Sequence, residues 1–140
     1  TPFLEQLGYT VKSYSFTDTN DVASVTKTAC DESDVIYIPT DNTAASCTEA
    51  IANVVIPANV PVIAGEQGIC NGCGVATLSI DYYELGQATG EMAYEILANG
   101  ANPGDMEVQP APNFTKMYNK TNCEKLGITV PADYTALATE

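Results

Sequence analysis

The stretch that most constrains the fold of this chain covers residues 35–43, where an apolar, β-branched run gives way to three polar residues. The run predicts a buried strand over its first four residues, and the alanine-rich residues 44–55 predict a helix. Asp41, Asn42 and Thr43 therefore stand where a strand ends and a helix begins. In open α/β sheets, ligands bind outside the carboxyl ends of the strands, where the first helix amides also point. The segment predicts an α/β fold and a binding site, and it leaves the ligand open.

Strands and helices alternate along the rest of the chain. The apolar spacing predicts strands over residues 9–16, 35–38, 60–64, 75–80, 108–109 and 114–119, and helices over residues 1–7, 22–30, 44–55 and 83–98. Gly65–Gly74 is predicted as a loop, and the spacing of Thr121 and Glu124 predicts a capping box that begins a short helix. We therefore expect a single α/β domain, a Rossmann-like parallel sheet with helices on both faces.

The charge balance excludes several classes of function. The chain has five lysines, no arginine and no histidine, and its formal net charge is −13. Because no basic patch exists, nucleic acid is not an expected partner, and a phosphorylated ligand would lack the guanidinium groups that often hold it. Histidine-based catalysis and histidine metal sites are excluded. No apolar run is long enough to span a bilayer, no signal peptide is present, and the start at Thr1 predicts a processed or cut chain.

Three segments, in order along nearly the whole chain, resemble ABC-transporter substrate-binding proteins, and most of all the group associated with tryptophan and related amino acids. They are residues 34–43, 61–66 and 76–86. Residues 119–121, leading into residues 126–128, are also similar to the C-terminal helix of that family and the start of the strand after it. The resemblance implies a type I periplasmic-binding fold, in which two α/β lobes close on a ligand at a hinge. It implies that residues 1–140 are the second, C-terminal lobe and that the first lobe is absent.

The resemblance also implies a function. Such a protein holds a small polar ligand between its lobes and feeds it to the membrane permease of an ABC importer. The chain is then expected to be extracytoplasmic, either periplasmic or a cell-surface lipoprotein. The expected ligand is an amino acid, and an aromatic amino acid is the narrower expectation. No enzymatic activity, cofactor or metal is expected.

Two parts of the two-lobed architecture are missing from this sequence. The resemblance implies that the helix over residues 83–98 packs on the first lobe, and that a central strand precedes the helix over residues 1–7. A lobe without these partners exposes apolar surface and an unpaired strand edge. We therefore expect the isolated chain to form a homodimer or to exchange a strand with a second copy.

Polar residues at the predicted strand ends form the candidate ligand site. Asp41 or Asn42 could bind an amino group, while the helix amides after them hold a carboxylate without any arginine. An aromatic ligand could stack on Tyr82 or Tyr83. The alternative for each position is a structural role as a helix cap, a polar loop or a packing residue. The candidate ligand-binding residues are Asp41, Asn42, Thr43, Glu66, Gln67, Asp81 and Tyr82.

The five cysteines include the pair Cys70 and Cys73, which has the spacing of a thioredoxin-like redox motif. Glycines and a predicted strand follow this pair, so the first thiol gains no helix N-terminus to activate it. A disulfide between Cys70 and Cys73 is the leading candidate. Free thiols, a metal site shared with another chain and redox catalysis remain alternatives, and the odd total leaves at least one cysteine unpaired or paired between chains.

Three rival functions come from other classes. A redox enzyme would be built around Cys70 and Cys73. The effector-binding lobe of a transcriptional regulator shares the expected fold, although the chain has no helix-turn-helix or basic segment. The carboxylates of Asp41, Glu66 and Asp81 could hold calcium or magnesium, but no EF-hand spacing is present.

Overall fold

The computed structural model describes residues 2–138, which form an α/β domain of helices on a five-stranded sheet. The helices are α1 (Pro2–Gln6), α2 (Val22–Glu32), α3 (Asn42–Ser46), α4 (Thr48–Val55), α5 (Gln67–Gly72), α6 (Tyr82–Asn99) and α7 (Lys120–Lys125), and a 3-10 turn covers Pro103–Asp105. The strands are β1 (Ile36–Ile38), β2 (Val62–Ala64), β3 (Ala76–Ile80), β4 (Phe114–Tyr118) and β5 (Thr135–Ala136).

The sheet is mostly parallel, with strand order β1-β2-β3-β4-β5. β1, β2 and β3 run parallel to one another, β4 runs antiparallel to β3, and β5 runs parallel to β4. The α/β fold class and the mostly parallel sheet are confirmed, and the departure from the expected parallel arrangement is at β4. The chain leaves the sheet at Ile80, passes through α6 and returns beside the same residue at Phe114, so β4 must run in the opposite direction.

One face of the sheet carries the core. Residues paired across neighbouring strands point to the same face, and on the covered face these include Val62, Ala64 and Thr77, all buried. The cluster is completed by side chains from α2, from α3 to α5 and from the residues directly after α5 and β5: Val22, Ala44, Ile51, Val55, Ile69, Cys70, Cys73 and Leu137. Burial of this apolar surface is what holds the layers together.

The opposite face of the sheet is exposed. Tyr37 on β1 and Leu78 on β3 expose 62% and 56% of their surface, and Ile63 and Phe114 on the same face are exposed as well. The prediction of helices on both faces is therefore wrong for residues 2–138, where helices bury one face only. This row of four side chains, Tyr37, Ile63, Leu78 and Phe114, is called the bare face below.

Helix α6 is long and well capped, yet it buries none of its residues. Asp81 caps its first turn, and Gly100 ends it in a left-handed conformation with φ 72°. Leu97 exposes 86% of its surface. Four other apolar residues of the helix are only half-buried, namely Leu85, Ala88, Met92 and Ile96. An amphipathic helix of this length whose apolar face is only half-buried lacks part of the packing that usually stabilises such helices.

The segment Tyr9–Phe16 forms no strand, in contrast to the prediction. Its alternating side chains are ordered, since Phe16 packs against the core and both Lys12 and Tyr14 bond to Glu32 on α2. A strand also needs a hydrogen-bonded neighbour. The edge strand β1 pairs only with β2, so Tyr9–Phe16 does not join the sheet beside it. The alternation of side chains is a local pattern, and it does not show whether a neighbouring strand is there to form the backbone hydrogen bonds.

Three smaller predictions are corrected by local geometry. Residues 44–55 do not form one helix, because Cys47 leaves the helical conformation at φ −117° and ψ 17° and separates α3 from α4. Residues 108–109 form no strand. The last helix begins at Asn119, whose side chain accepts a hydrogen bond from the Asn122 amide, and not at the predicted capping box of Thr121 and Glu124.

Candidate functional site

Three carboxylates lie at the carboxyl ends of three neighbouring strands. Asp41 follows β1, Glu66 follows β2 and Asp81 follows β3, and each is the N-cap of the next helix. The structural alternative of helix capping is thus confirmed for Asp41 and Asp81, whereas Glu66, for which the alternative is a polar loop, is a helix cap that the sequence does not predict. Capping is compatible with binding only if a carboxylate keeps an oxygen that the helix does not use, so the hydrogen bonds of each oxygen decide between the two roles.

Glu66 commits both of its oxygens to helix α5. One accepts the amide of Gly68 at 2.7 Å, and the other accepts the amide of Ile69. This capping, together with burial of Ile69 and Cys70, makes residues 67–72 a helix and overturns the prediction of a loop over Gly65–Gly74. Glu66 therefore orients α5 and with it Gln67, the first residue of that helix.

Asp81 and Asp41 each keep one oxygen free within the described residues. Asp81 Oδ1 accepts the amides of Tyr83 at 2.8 Å and Glu84 at 3.1 Å, and Asp41 Oδ1 accepts the amide of Ala44 at 2.8 Å. The second oxygen of each carboxylate receives no hydrogen bond from residues 2–138. A free carboxylate oxygen beside a capped helix can accept a hydrogen bond from a ligand.

The ends of β1 and β2 are drawn together by a glycine. The Gly65 amide donates to the Ile38 carbonyl at 2.7 Å, and the Thr40 hydroxyl donates to the Gly65 carbonyl at 3.3 Å. A Cβ atom at Gly65 would lie 2.6 Å from the Thr40 nitrogen, so no other residue fits without a shift of the backbone. This close approach fixes where the residues after the two strands stand.

A cleft of about 360 Å³ lies at the end of β3, next to the start of α6. Three of the predicted residues line it, namely Gln67, Asp81 and Tyr82, and Tyr83 joins them. Asp41, Asn42, Thr43 and Glu66 are not among its lining residues. Asp41, Asn42 and Thr43 stay at the start of α3, beside the end of β1.

The cleft also includes residues that the sequence analysis did not select. Ser79 and Thr115 line it from β3 and β4, and Met117 and Ile80 contribute apolar surface. Ser79 and Thr115 are partners in the antiparallel ladder, which neither residue's local sequence predicts. A second depression of about 650 Å³ runs along α6, where Glu91, Tyr94 and Met106 contribute to its lining; these residues lie beyond the first turn of α6.

The charge of the cleft is negative and its walls are partly aromatic. Asp81 is the one acidic residue among the lining residues, and none of them is a lysine. Tyr82 and Tyr83 are both exposed at its mouth. A carboxylate oxygen beside exposed aromatic rings is suited to a ligand that carries a positively charged amino group.

The cysteines do not form the expected disulfide in this structure, where all five are free thiols. Cys70 and Cys73 are fully buried, and the Cys73 thiol donates to the Ile69 carbonyl at 3.4 Å. Burial raises the pKa of both thiols to about 12, with further contributions from Cys123 and Cys73 at Cys70 and from Glu66 at Cys73. Redox catalysis needs an accessible thiolate of lowered pKa, and these two residues have the opposite properties.

Neither a metal centre nor a membrane span is found in the part of the chain that the structure describes. Within residues 2–138, no three or more His, Cys, Asp or Glu side chains come together as a metal site. None of the helices there combines the length and hydropathy needed to cross a bilayer.

A mostly parallel sheet with capped helices and an open cleft at its carboxyl end is the architecture of a ligand-binding α/β lobe. The chain belongs to the family of ABC transporter substrate binding proteins, whose family model matches residues 2–140. The resemblance found in the sequence is thereby confirmed.

One curated relative of this chain is a tyrosine-binding protein of Clostridioides difficile. It is 30% identical over 106 residues, which are 76% of this chain and 30% of that protein. The match therefore spans less than a third of its length.

Three solved structures are also similar to this chain in sequence and fold. A domain from Streptococcus pneumoniae in complex with L-Trp is 29% identical, with a TM-score of 0.85 over 96% of this chain and 48% of that one. A ligand-free, open substrate binding protein with adhesive properties from Clostridium difficile is 30% identical, with a TM-score of 0.75 over 99% of this chain and 48% of that one. A conserved domain protein from Vibrio cholerae is 33% identical, with a TM-score of 0.83 over 94% of this chain and 46% of that one. The chain thus spans about half the length of these structures.

Proposed function

We propose that this chain is the second lobe of a two-lobed solute-binding protein that works outside the cytoplasm. The whole protein would deliver an aromatic amino acid, tyrosine or tryptophan, to the membrane permease of an ABC importer. Family membership supports the transport role, and the relatives described as binding tyrosine or L-Trp support the ligand class. The lobe itself supplies binding groups and no reacting group.

The observation that carries the proposal is the free oxygen of Asp81 in the cleft. Asp81 Oδ1 holds the first turn of α6, which leaves Oδ2 to accept a charge-assisted hydrogen bond from the ligand's ammonium group. Tyr82 follows it directly and offers an exposed ring to an aromatic side chain. Gln67, oriented by α5, adds an amide that can donate or accept at the same cleft.

The proposal assigns the ligand's carboxylate to groups outside this cleft. No lysine lines it, and the chain has no arginine, so a zwitterion cannot be neutralised here by a side-chain cation. Asn42 and Thr43 at the start of α3, and the amides of that helix, are the donors of this lobe that a closed state could bring to the ligand. The first lobe would supply the remaining contacts on closure around the hinge.

The exposed helix α6 supports the placement of a first lobe against it. This helix buries no residue, and Tyr94 and Leu97 are open to solvent. A first lobe packed on α6 would cover this surface and narrow the cleft from the other side. Since the isolated lobe holds only half of the contacts, we expect it to bind an amino acid weakly or not at all.

The proposal is tested by calorimetric titration of the full-length, two-lobed protein with L-tyrosine and L-tryptophan. We expect saturable binding of at least one, and a loss of tenfold or more in affinity in Asp81→Asn. Asparagine also caps helices well, so α6 and the melting temperature should be little changed. Absence of binding to both amino acids would overturn the ligand class.

A second variant separates the two carboxylates that keep a free oxygen. Asp41→Asn makes the same change in charge at another helix cap that lies outside the cleft. If the ammonium binds at Asp81, Asp41→Asn should lower the affinity less than Asp81→Asn does. The reverse order would move the ammonium site to the end of β1.

A further inference from the structure

We infer that the hydroxyl groups of Ser79 and Thr115 select aromatic amino acids whose ring carries a polar hydrogen. Such rings are the phenol of tyrosine and the indole of tryptophan, and the phenyl ring of phenylalanine lacks this hydrogen. The inference rests on the proposed function, because it assumes that an amino acid occupies the cleft with its ammonium group at Asp81. The inference identifies the residues of the cleft that would contact the side chain of the bound amino acid.

The strand geometry places the two hydroxyls at the depth that a ring would reach. Ser79 lies on β3 two residues before Asp81, whose backbone continues the strand in an extended conformation, and two extended residues span about 6.5 Å. Ser79 is 2% exposed, while Asp81 is exposed at the strand end. Thr115 is the partner of Ser79 in the ladder and lines the same cleft. A ligand bound to Asp81 by its ammonium group would therefore extend its ring over this pair.

The hydrogen bonds already made by the pair determine what they offer a ligand. The Ser79 hydroxyl donates to the Ile80 carbonyl at 3.2 Å, so its proton is engaged and its oxygen remains an acceptor. The Thr115 hydroxyl forms no hydrogen bond with any side chain or backbone group of residues 2–138. Ser79 thus offers the cleft an acceptor oxygen, and Thr115, which is exposed, offers a hydroxyl that can accept as well as donate. Both oxygens can accept a hydrogen bond from an O–H or N–H group on the ring.

The surroundings make this contact selective. Met117 and Ile80 line the cleft beside the two hydroxyls, and a ring seated there would displace water from Ser79. Phenylalanine would leave the buried Ser79 oxygen without a partner, and an unpaired buried polar group is costly. Sites built to bond a substrate hydroxyl reject the analogue that lacks it much more strongly than apolar pockets distinguish sizes.

The test compares affinities for L-tyrosine, L-tryptophan and L-phenylalanine by calorimetry on the full-length protein. The variants are Ser79→Ala, Thr115→Val and the double variant, with Thr115→Ser as a variant that keeps the hydroxyl. Thr77→Val is the matched control, since it removes a hydroxyl from the same strand at a buried position that does not line the cleft. Circular dichroism checks that each variant is folded.

We expect the wild type to favour tyrosine and tryptophan over phenylalanine by about tenfold or more. The double variant should bring this ratio to about threefold or less by losing affinity for the first two ligands and not for phenylalanine, and Thr115→Ser and Thr77→Val should keep it. Equal binding of all three by the wild type, or a ratio unchanged in the double variant, would overturn the inference and leave the proposed function standing. Absence of binding to all three would overturn the proposed function itself, and the inference with it.

Discussion

The side-chain amide of Asn119 donates a 2.8 Å hydrogen bond to the backbone carbonyl of Asn71, across 48 residues of sequence. The same amide reaches the Cys70 carbonyl at 3.2 Å, so it binds two carbonyls at the C-terminal end of α5. The Asn119 oxygen meanwhile caps α7 through the Asn122 amide. The Cys70 carbonyl also accepts the Gly74 amide at 3.1 Å, so the Asn71 carbonyl and the Asn122 amide are the groups that depend on Asn119.

Asn119→Ala should be among the most destabilising substitutions in the chain. It removes a helix cap and leaves the Asn71 carbonyl without its donor, which together cost about 2–3 kcal/mol of unfolding free energy, while the Cys70 carbonyl keeps the Gly74 amide. Urea denaturation followed by circular dichroism measures this. Asn53→Ala, at an exposed position on α4, is the control and should change stability by less than about 0.5 kcal/mol. Similar effects of the two variants would contradict a clamping role for Asn119.

Glu66→Ala should weaken α5 by removing the acceptor of two amide hydrogen bonds. Loss of an N-cap costs about 1 kcal/mol, and here the cap serves the helix that covers β2 and β3. Glu66→Asp, which keeps a capping carboxylate on a residue type well suited to this position, should recover most of the loss. Thermal unfolding of the wild type, Glu66→Ala and Glu66→Asp measures the three stabilities. An unchanged stability in Glu66→Ala would show that burial alone holds this helix.

Thr77→Val should leave stability unchanged or raise it by about 1 kcal/mol. The Thr77 hydroxyl is 2% exposed and has no hydrogen-bond partner in the structure, so the folded state carries the cost of burying it. Valine has nearly the same shape and removes that cost. A loss of stability in Thr77→Val, measured by urea denaturation, would mean that the hydroxyl has a bonded partner in solution, such as a buried water.

Local signals explain what the sequence could predict of this site. Asp41 and Asp81 each follow an apolar run and precede a predicted helix, so a few neighbouring residues predict both their strand-end position and their capping role. For Glu66 the neighbouring residues predict the strand end only, since a loop is expected after it. The structure places all three as caps at neighbouring strand ends. The sequence does not show that Glu66 uses both carboxylate oxygens while Asp41 and Asp81 each keep one free, because this depends on the positions of individual atoms.

Long-range pairing explains what the sequence could not predict. Thr115 meets Ser79 only because β4 runs antiparallel to β3, and this register joins residues 36 positions apart (115 minus 79). Residues 67–72 look like a glycine-rich loop until Ile69 and Cys70 are buried by the layers around them. The alternation in Tyr9–Phe16 was visible, but the strand it predicted has no neighbour to pair with.

The buried thiols predict a loss of stability at alkaline pH. Because burial raises the folded-state pKa of Cys70 and Cys73 from 9.0 to about 12, the unfolded state releases these protons first. Their contribution is therefore complete below pH 9 and is lost as the pH rises from about 9 to 12. Urea midpoints under reducing conditions, measured at pH 8 and at pH 10, should fall less in Cys73→Ala than in the wild type. Equal falls would show that these thiols do not titrate with unfolding.

The bare face predicts self-association of the 140-residue chain. Tyr37, Ile63, Leu78 and Phe114 form an apolar row beside the unpaired edge of β1, and both features favour contact with a second copy. Sedimentation equilibrium should show a dimer whose dissociation constant rises about tenfold or more in Leu78→Lys, since a charge placed in an apolar contact must be desolvated. Val108→Lys adds the same charge at a position that is 96% exposed and lies outside the sheet, so it controls for the change in the net charge of −13. If Val108→Lys weakens the dimer as much as Leu78→Lys does, the association does not involve the bare face, and a monomer at every concentration would refute self-association altogether.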